Sequence, residues 1–548
     1  MTTWPKLSLR IEQPMASTFL IKPASASAVA RLAAGGFLAC VLSIGGIGAA
    51  SAVAQPLTDR VPVIEGVVQP LRPVAEAISD AMKFLKKADG AYVPGRLDGE
   101  LAGYFTSAHV NPDGTRSKRK VSFPARQHAY FMFTFLRYYA YTGEPEWLWR
   151  ARDLADWNLA HSTPKDAVYA EVPYSTFFDG KPGGSRDEDA IEPDKSAFLG
   201  CGYIAVHEAT GDHKYLDAAA TVARTLAKHQ REDGSWPFRV VPETGAIRQD
   251  FGGAPVFFVE FFEALLRHQD RSEWRRAHDH ALQLMLERNI GKNLWGTYHE
   301  DIALKSDAYL SAEPVSFTAG HLFRKATERS AYLEMGRKLI RTMEDRLVYT
   351  NGHAAAPAPA VSEQAGFEHL MPGHTARYCR VIADLYAVTG DEQIKRRALS
   401  GLNAVTYMQS PPGLFRTFFA SVNPKADTRN RPDWYSQHLY TVCHTLEAMA
   451  VLPELAPKGK DHLLGSEMFV GEVRYATGLV NFQTIAPSRT VLRLGFTPQV
   501  VENNQRELPS LGQHPSDKRT GWFFNPATRL LTIQHDAGPV NVRGATRN

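Results

Sequence analysis

Two kinds of helical pattern alternate along the middle of this 548-residue chain. One kind carries apolar residues almost all round, as a helix that is packed on every side requires. The other kind places apolar residues at positions i, i+3, i+4 and i+7 and fills its opposite face with Arg, Lys and Asp. The first pattern occupies residues 123–140, 192–209, 254–268, 315–326, 371–388 and 432–452. The second occupies residues 73–88, 144–162, 214–230, 272–289, 331–347 and 391–409. The sequence therefore predicts six inner and six outer helices.

Short polar turns join the inner helices to the outer helices that follow them. These turns are spaced almost regularly, with 68 residues from Gly143 to Gly211, 59 to Asp270, 58 to Glu328 and 62 to Gly390. A fixed period of this size indicates a repeated supersecondary unit. The pattern predicts that this unit is a helical hairpin.

The connections from each outer helix to the next inner helix are much longer. They cover about residues 89–122, 162–191, 231–252, 290–313, 348–370 and 410–431. Loops of this length inside a compact domain are usually functional. All six leave the helices at the end where the inner helices begin, so we expect the functional cleft at that end.

The series of six hairpins resembles the (α/α)6 toroid of six-hairpin glycoside hydrolases and polysaccharide lyases. The resemblance covers residues 73–455 and rests on architecture, because the segment has no catalytic signature of one family. It implies a mainly α protein with a closed double ring and a carbohydrate-active function. An open helical solenoid is the structural alternative, but the count of six hairpins and the asymmetry of the connections favour the closed ring.

The two ends of the chain follow other patterns. Residues 462–548 contain short, β-branched, partly alternating segments separated by Asn, Pro, Gly and Asp, which predicts a small C-terminal antiparallel β domain. Residues 1–54 contain basic residues, a Gly/Ala-rich apolar run and the small-residue site Ala52-Val53-Ala54, which is typical of an export signal. Residues 55–72 form an N-terminal extension. An uncleaved membrane anchor is the alternative to the signal.

The net charge and the cysteine content bear on the binding partners of the protein and on its cellular location. The net charge of +4 falls to +1 once Lys6, Arg10, Lys22, Arg31 and Glu12 of the signal are removed. This balance gives no indication of a nucleic-acid partner. We expect a secreted or periplasmic protein with no stable membrane insertion after signal cleavage. The remaining cysteines, which all lie in inner helices, are expected to be core residues: Cys201, Cys379 and Cys443.

A carboxylate pair is the first candidate chemistry. Hydrolysis of a glycosidic bond needs a protonated acid for the leaving oxygen and a carboxylate that activates water or attacks the sugar. Asp194, Asp250 and Asp433 are the preferred members, because each stands at or just before the start of an inner helix. Further acids at the same edge are Glu171, Asp187, Glu188, Asp189, Glu192, Glu300, Asp301, Glu313 and Glu368. The alternative is that these carboxylates cap helices or are solvated.

A base with a charge-neutralising partner is the second candidate chemistry. β-Elimination on a uronate needs Tyr, His or Lys as base, with Arg or His to stabilise the developing charge. His374 shares one helical face with Arg377 and Tyr378, and Tyr435 lies on the sixth inner helix. Other residues suited to this role or to substrate binding are Arg126, His128, Tyr130 and His438. The alternative is that they are hydrogen-bonded core residues.

Aromatic and acidic segments complete the candidates. Trp434, at the start of an inner helix, is the preferred sugar-stacking residue. Trp236 and Trp295 are also candidates for substrate binding, but they recur at equivalent places after outer helices, which favours packing over binding. The acidic run 186–194 is able to supply oxygen ligands to Ca²⁺, but charge runs are usually solvated, so we predict no metal site and no cofactor.

These observations lead to a first functional hypothesis. We expect an exported carbohydrate-active enzyme that hydrolyses glycosidic bonds of a poly- or oligosaccharide with a carboxylate pair. The alternatives, in order, are a polysaccharide lyase acting on a uronate-containing glycan, a sugar or uronate epimerase, and a non-catalytic glycan-binding toroid.

Overall fold

A computed structural model describes most of the chain after residue 60. The described residues are 61–89, 121–178, 181–182, 190–252, 254–295, 310–367, 369–421, 433, 435–512 and 519–545. The predicted export signal lies outside them, as do Trp434 and the acids Asp187, Glu188, Asp189, Glu300, Asp301 and Glu368. No helix in the described part of the chain is long and apolar enough to span a bilayer.

Twelve α-helices are present among the described residues. The inner helices are α2 Pro124–Thr142, α4 Pro193–Thr210, α6 Pro255–Leu266, α8 Ala312–Arg324, α10 Pro372–Thr389 and α12 Tyr435–Ala448. The outer helices are α1 Val74–Asp89, α3 Pro145–Ala160, α5 His213–Lys228, α7 Ser272–Leu284, α9 Ala331–Arg346 and α11 Glu392–Ala404. A π-helical segment, Met285–Gly291, continues α7, and 3₁₀ turns cover Val405–Met408 and Pro453–Leu455. The alternation predicted from the apolar pattern is confirmed.

The inner helices form a closed ring. Each inner helix packs against the two inner helices beside it, and α12 packs against α2. Five outer helices pack against the inner helix that precedes them, and α1 packs against α12 to complete the outer layer. The fold is therefore an (α/α)6 toroid, as the hairpin pattern predicts, and the open-solenoid alternative is wrong.

Proline and glycine mark the two ends of the inner helices. Four inner helices begin with proline at the first helical position, where its missing N–H and fixed φ are favourable. Three end on a left-handed glycine: Gly143, Gly211 and Gly390, with φ of 75°, 71° and 67°. A residue without Cβ adopts this conformation at low cost. The chain can therefore reverse within a few residues and start the outer helix at once.

Short strands occur within and before the ring. They are β1 Val63–Ile64, β2 Val67–Val68, β3 Val121–Ser122, β4 Phe177–Phe178, β5 Lys181–Pro182, β6 Pro237–Val240, β7 Ile247–Gly252, β8 Val348–Tyr349, β9 Ala360–Val361, β10 His369–Leu370 and β11 Ala420–Ser421. All of their pairings are antiparallel. Except for β1 and β2, they lie in the long connections, at the end of the ring where the inner helices begin.

The C-terminal residues form two antiparallel sheets, as the alternating pattern predicts. The strands are β12 His462–Ser466, β13 Gly471–Ala476, β14 Leu479–Thr484, β15 Ser488–Arg493, β16 Thr497–Asn503, β17 Arg506–Glu507, β18 Gly521–Asn525, β19 Leu530–His535 and β20 Gly538–Ala545. One sheet has the order β12-β15-β19-β18 and the other β13-β14-β20-β16-β17. The rings of Phe482 and His535 lie 5.5 Å apart and bring the two sheets together.

The first of these strands pack against the C-terminal ends of inner helices. The Tyr139 hydroxyl of α2 accepts a hydrogen bond from the Val473 N–H at 2.9 Å. The buried Glu208 carboxylate of α4 accepts one from the Phe469 N–H at 3.0 Å. Because the inner helices run in the same direction, the sheets lie at the end of the ring opposite the long connections. The C-terminal sheets therefore cover one end of the ring, and the candidate site is expected at the other end, where the long connections lie.

Candidate active site

A cluster of polar side chains lies inside the ring near the start of the inner helices. Arg126 is the third residue of α2, Glu313 the second of α8, and His374 the third of α10. Polar side chains are rare in helices packed on every side, because each costs free energy unless it is paired. Their convergence from three helices therefore marks the candidate site.

Glu313 is the ionised centre of this cluster. Its carboxylate forms an ion pair with Arg126 and accepts a hydrogen bond from the Tyr130 hydroxyl at 2.9 Å. Burial alone would raise the pKa of Glu313, but the charges of Arg126 and Arg377 outweigh burial and hold its pKa well below the usual range. Burial raises the pKa of Tyr130 well above 10. Glu313 is therefore unsuited to donate a proton, and Tyr130 is unsuited to act as a base.

Arg377 connects the members of the cluster. Its Nη2 donates to the Tyr130 hydroxyl at 3.1 Å and lies 3.5 Å from Glu313 Oε1. Its Nη1 donates to His374 Nδ1 at 3.0 Å, and its Nε donates to His444 Nε2 at 3.2 Å. One fully buried guanidinium thus links α2, α8, α10 and α12.

His374 is neutral and carries its proton on the atom that faces a loop carboxylate. Burial lowers the pKa of His374. A guanidinium only donates hydrogen bonds, so His374 Nδ1 must accept, and the imidazole proton is assigned to Nε2. That Nε2 lies 3.6 Å from Glu363 Oε1 in the fifth long connection. The distance exceeds the usual N–H···O range of about 2.7–3.2 Å.

The structure places other predicted residues of these helices away from the cluster. His128 is held by the Asn158 amide of the outer helix α3 at 2.9 Å, and burial lowers its pKa to about 3. His438 bonds to the backbone of Phe415 and Ala81. The Tyr378 hydroxyl donates to Glu344 of α9 at 2.6 Å. These three side chains contact the outer layer or the connections. Tyr435 is the first residue of α12.

The three preferred carboxylates have separate partners. Asp194 is fully buried, 3.3 Å from Lys195 Nζ, and accepts from the Ala254 N–H at the start of α6 at 3.2 Å. Asp433 accepts from the Thr417 N–H and pairs with Arg416, both at 2.6 Å.

Asp433 and Asp250 differ in their surroundings. Burial raises the pKa of Asp433, although Arg416 opposes the shift. Asp250 lies on the exposed hairpin strand β7, with its carboxylate paired to Arg231. Asp194 is therefore tied to the start of α6, Asp433 to the connection that precedes α12, and Asp250 to Arg231 of its own connection.

The two tryptophans for which packing was favoured are buried. Trp236 is 1% exposed, stacks on Phe258 at 3.7 Å and donates its indole N–H to the Leu226 carbonyl at 2.9 Å. Trp295 is 3% exposed and donates to Asn293 Oδ1 at 2.8 Å. Neither ring presents a face on which a sugar could stack.

One group of three residues in the described part of the chain has the composition of a metal site. Ligand atoms of Cys443, His444 and Glu447 lie within 4.8 Å of one another. Burial raises the pKa of the Cys443 thiol to about 12. Both nitrogens of His444 have protein partners, and Arg137 pairs with Glu447 at 2.7 Å. A protonated thiol and adjacent guanidinium groups do not favour a cation here.

Sequence reasoning did not single out three members of this region. Glu363 lies in a long connection, and His444 and Glu447 lie three residues apart in the last inner helix. The available signal was the presence of charged residues in a mainly apolar helix. The sequence identifies Glu313 only as one of many acids, because the fourth inner pattern is predicted to begin at residue 315. In the structure α8 begins at Ala312, so Glu313 belongs to its first turn.

The fold defines the class of protein as an (α/α)6 toroid, and solved structures of this class resemble it. A D-mannose isomerase matches with a TM-score of 0.54 and 14% identity over 69% of this chain and 96% of its own. A sugar epimerase from a ruminal bacterium matches with a TM-score of 0.53 and 12% identity, over 68% and 98%. The cellobiose 2-epimerase of Spirochaeta thermophila matches with a TM-score of 0.53 and 12% identity, over 71% of this chain and 99% of its own.

At these identities the likeness shows the fold, and function must be argued from the site. No protein-family model matches the sequence, and no curated protein matches it. The resemblance to six-hairpin toroids is confirmed at the level of architecture.

Proposed function

We propose that this protein is a carbohydrate-active enzyme that moves a proton at a carbon next to a carbonyl or carboxyl group of a sugar. The observation that carries the proposal is the group formed by Arg126, Arg377 and His374 at the loop end of the ring. The Arg126 guanidinium and the His374 imidazole N–H are both hydrogen-bond donors, which is what a sugar oxygen that becomes negative requires. Arg377 holds the His374 imidazole through Nδ1. The solved toroids named above support the sugar class by analogy only.

The proposed chemistry assigns one role to each group. Glu363 accepts the proton from the carbon, and the His374 Nε2–H donates to the neighbouring oxygen as charge develops on it. Arg126 lies at the same end and stabilises the same charge. If the planar intermediate turns its other face toward Glu363, return of the proton from Glu363 to that face gives an epimer. β-Elimination results instead if the C–O bond at the next carbon breaks: the C–H electrons form the new double bond, and the leaving oxygen keeps the C–O electrons and takes a proton from water.

Hydrolysis of a glycosidic bond is the second candidate. It is favoured by Asp433, because a carboxyl whose pKa is raised by burial resembles the protonated acid that hydrolysis needs. Asp194 or a carboxylate of the long connections would then be its partner. The contacts of Asp433 with Arg416 and Thr417 weigh against this role, since both stabilise the ionised form.

A single assay separates these candidates. Protein lacking residues 1–54 is incubated in D₂O with free sugars and with neutral and uronate-rich glycans. Deuterium at sugar carbons, new reducing ends and absorbance of a conjugated alkene are followed together. We expect deuterium incorporation or alkene absorbance. The variant His374→Asn should reduce it by about 10²- to 10³-fold, the usual loss when one donor to a developing negative charge is removed.

The matched control is Glu260→Gln. Glu260 lies on the inner helix α6 and bonds to His321 and Arg324, outside the cluster. This variant should retain turnover. New reducing ends without deuterium or absorbance, lost on Asp433→Asn and kept in His374→Asn, would establish hydrolysis and reject proton transfer.

A further inference from the structure

A second imidazole lies behind Arg377, on the side away from the loop end. His444 of α12 accepts a hydrogen bond from Arg377 Nε through its Nε2 at 3.2 Å. Its Nδ1 lies 2.8 Å from Glu447 Oε2, one turn further along the same helix. The reaction assigned above does not use either residue.

The partners of His444 determine which of its nitrogens carries the proton. Arg377 Nε can only donate, so His444 Nε2 must be the acceptor. Its proton is therefore on Nδ1 and is donated to the Glu447 carboxylate. Burial lowers the pKa of His444 to about 4, so the imidazole is neutral near pH 7. A protonated His444 would present an N–H to the N–H of Arg377 and break the contact.

Glu447 is itself fixed in place. Arg137 Nη2 of α2 contacts its Oε1 at 2.7 Å, and Arg380 Nε lies 3.7 Å from its Oε2. The rings of Tyr130 and His444 pack edge-on, with their centroids 5.7 Å apart and their planes at 87° to each other. Ion pairs hold the carboxylate, and an aromatic ring limits rotation of the imidazole.

We propose that Glu447 and His444 form a positioning pair that orients Arg377 and thereby keeps the proton of His374 on Nε2. The chain of contacts runs from Glu447 through His444 Nδ1–H, from His444 Nε2 to Arg377 Nε–H, and from Arg377 Nη1–H to His374 Nδ1. Each link uses one donor and one acceptor, so His374 is three contacts from Glu447 and two contacts from His444. A change at either residue is transmitted to His374 through Arg377. The expected effect on turnover rests on the proposed proton transfer. The Nε2–H tautomer of His374 does not depend on that proposal.

The test compares two substitutions of His444 that differ by one methylene. Gln places an amide oxygen near the position of Nε2 and can still accept from Arg377. Asn reaches only to the position of Nδ1 and leaves Arg377 Nε without this acceptor. Glu447→Gln removes the charged acceptor of the His444 proton. Glu260→Gln is the control for loss of a carboxylate elsewhere in the ring interior.

The direct readout is nitrogen NMR of protein labelled in His and Arg side chains. Signals are assigned by their loss in His374→Asn and Arg377→Lys. Wild type, His444→Gln and Glu260→Gln should show His374 as the Nε2–H tautomer and a slowly exchanging Arg377 Nε–H. His444→Asn and Glu447→Gln should show a mixture of His374 tautomers and faster exchange at Arg377. An unchanged His374 tautomer in folded His444→Asn and Glu447→Gln would overturn the proposal.

Turnover provides the second readout. If proton transfer is the reaction, His444→Asn should lower kcat by about 10- to 100-fold, the size of the loss when an outer partner of a metal-bound imidazole is removed. KM should change little, and His444→Gln should recover most of kcat. A shifted tautomer in a protein that moves no proton on any sugar would reject the proposed function and leave the positioning pair intact. Reduced kcat with an unshifted tautomer would reject the positioning pair alone.

Discussion

Inner-helix histidines that look alike in the sequence perform different tasks in the structure. His374 faces the polar cluster, whereas His438 joins α12 to the outer layer. His438 Nδ1 accepts from the Phe415 N–H at 2.9 Å, and its Nε2 donates to the Ala81 carbonyl of α1 at 3.1 Å. Burial lowers the pKa of His438 to about 4. A charged His438 would direct a second N–H at the Phe415 N–H and lose one bond.

This arrangement predicts acid sensitivity of the fold. A histidine whose pKa falls from 6.5 when unfolded to about 4 when folded binds protons more readily in the unfolded chain. Its stabilising effect is complete above pH 6.5 and is lost as the pH falls toward 4. We expect the urea midpoint to decrease across this window.

The control for acid sensitivity is His438→Gln. This variant should be less stable at pH 7 and less sensitive to pH, because the titrating group has been removed. Some sensitivity should remain, since His128 and His444 have pKa values of about 3 and 4. An identical pH dependence in wild type and variant would assign the effect to other groups.

At the scale of elements, the hairpins depend on close approach between an inner helix and its outer partner. Gly401 of α11 lies against Cys379 of α10, where a Cβ at position 401 would overlap Cys379 Sγ and lie 3.0 Å from Pro359 Cγ. The absence of a side chain lets the two helices approach. The sequence shows a glycine inside a helix, which is usually unfavourable, and the contact supplies its physical reason.

The prediction for this element is that Gly401→Ala destabilises the protein despite the better helix propensity of alanine. Overpacking typically costs about 1–3 kcal/mol, against a propensity gain of about 1 kcal/mol. Denaturant unfolding of the single and double variants measures the balance. Cys379→Ala should relieve part of the overlap, so the double variant should be more stable than additivity predicts. Strictly additive effects would show that Cys379 is not the obstacle.

At the scale of the whole molecule, the helical ring and the C-terminal sheets share one hydrophobic core. A single cluster of buried residues extends from α1 to β20. His462 stacks on Tyr141 at 3.9 Å, and the Tyr475 hydroxyl bonds to the Ala140 carbonyl and the Leu463 N–H. The sheets therefore cover apolar and polar surface that the ring alone would expose.

We expect the ring and the sheets to unfold in one cooperative transition. Calorimetry should give a calorimetric enthalpy close to the van't Hoff enthalpy, and circular dichroism of helices and of aromatic rings should change together. Tyr475→Phe removes hydroxyl contacts at the junction and should lower the midpoint without splitting the transition. Two separate transitions, or residues 61–456 alone unfolding at the wild-type midpoint, would contradict this expectation.

The sequence by itself determined the architecture of this protein. Helical periodicity separates inner from outer helices, Gly143, Gly211 and Gly390 fix where hairpins turn, and alternation predicts the C-terminal sheets. These are local signals, because each depends on the period of one element or on the backbone preference of one residue.

Only the tertiary structure decided which polar residues meet. An inner helix is apolar almost all round, so its sequence does not tell the face inside the ring from the face against the outer layer. Closure of the ring sets that rotation, and it directs His374 and Arg377 inward while Tyr378 reaches α9. The same closure brings Glu313, Arg126 and Glu363 to one place from distant positions in the chain. Side-chain convergence across helices is a long-range property, and no pattern within a single helix encodes it.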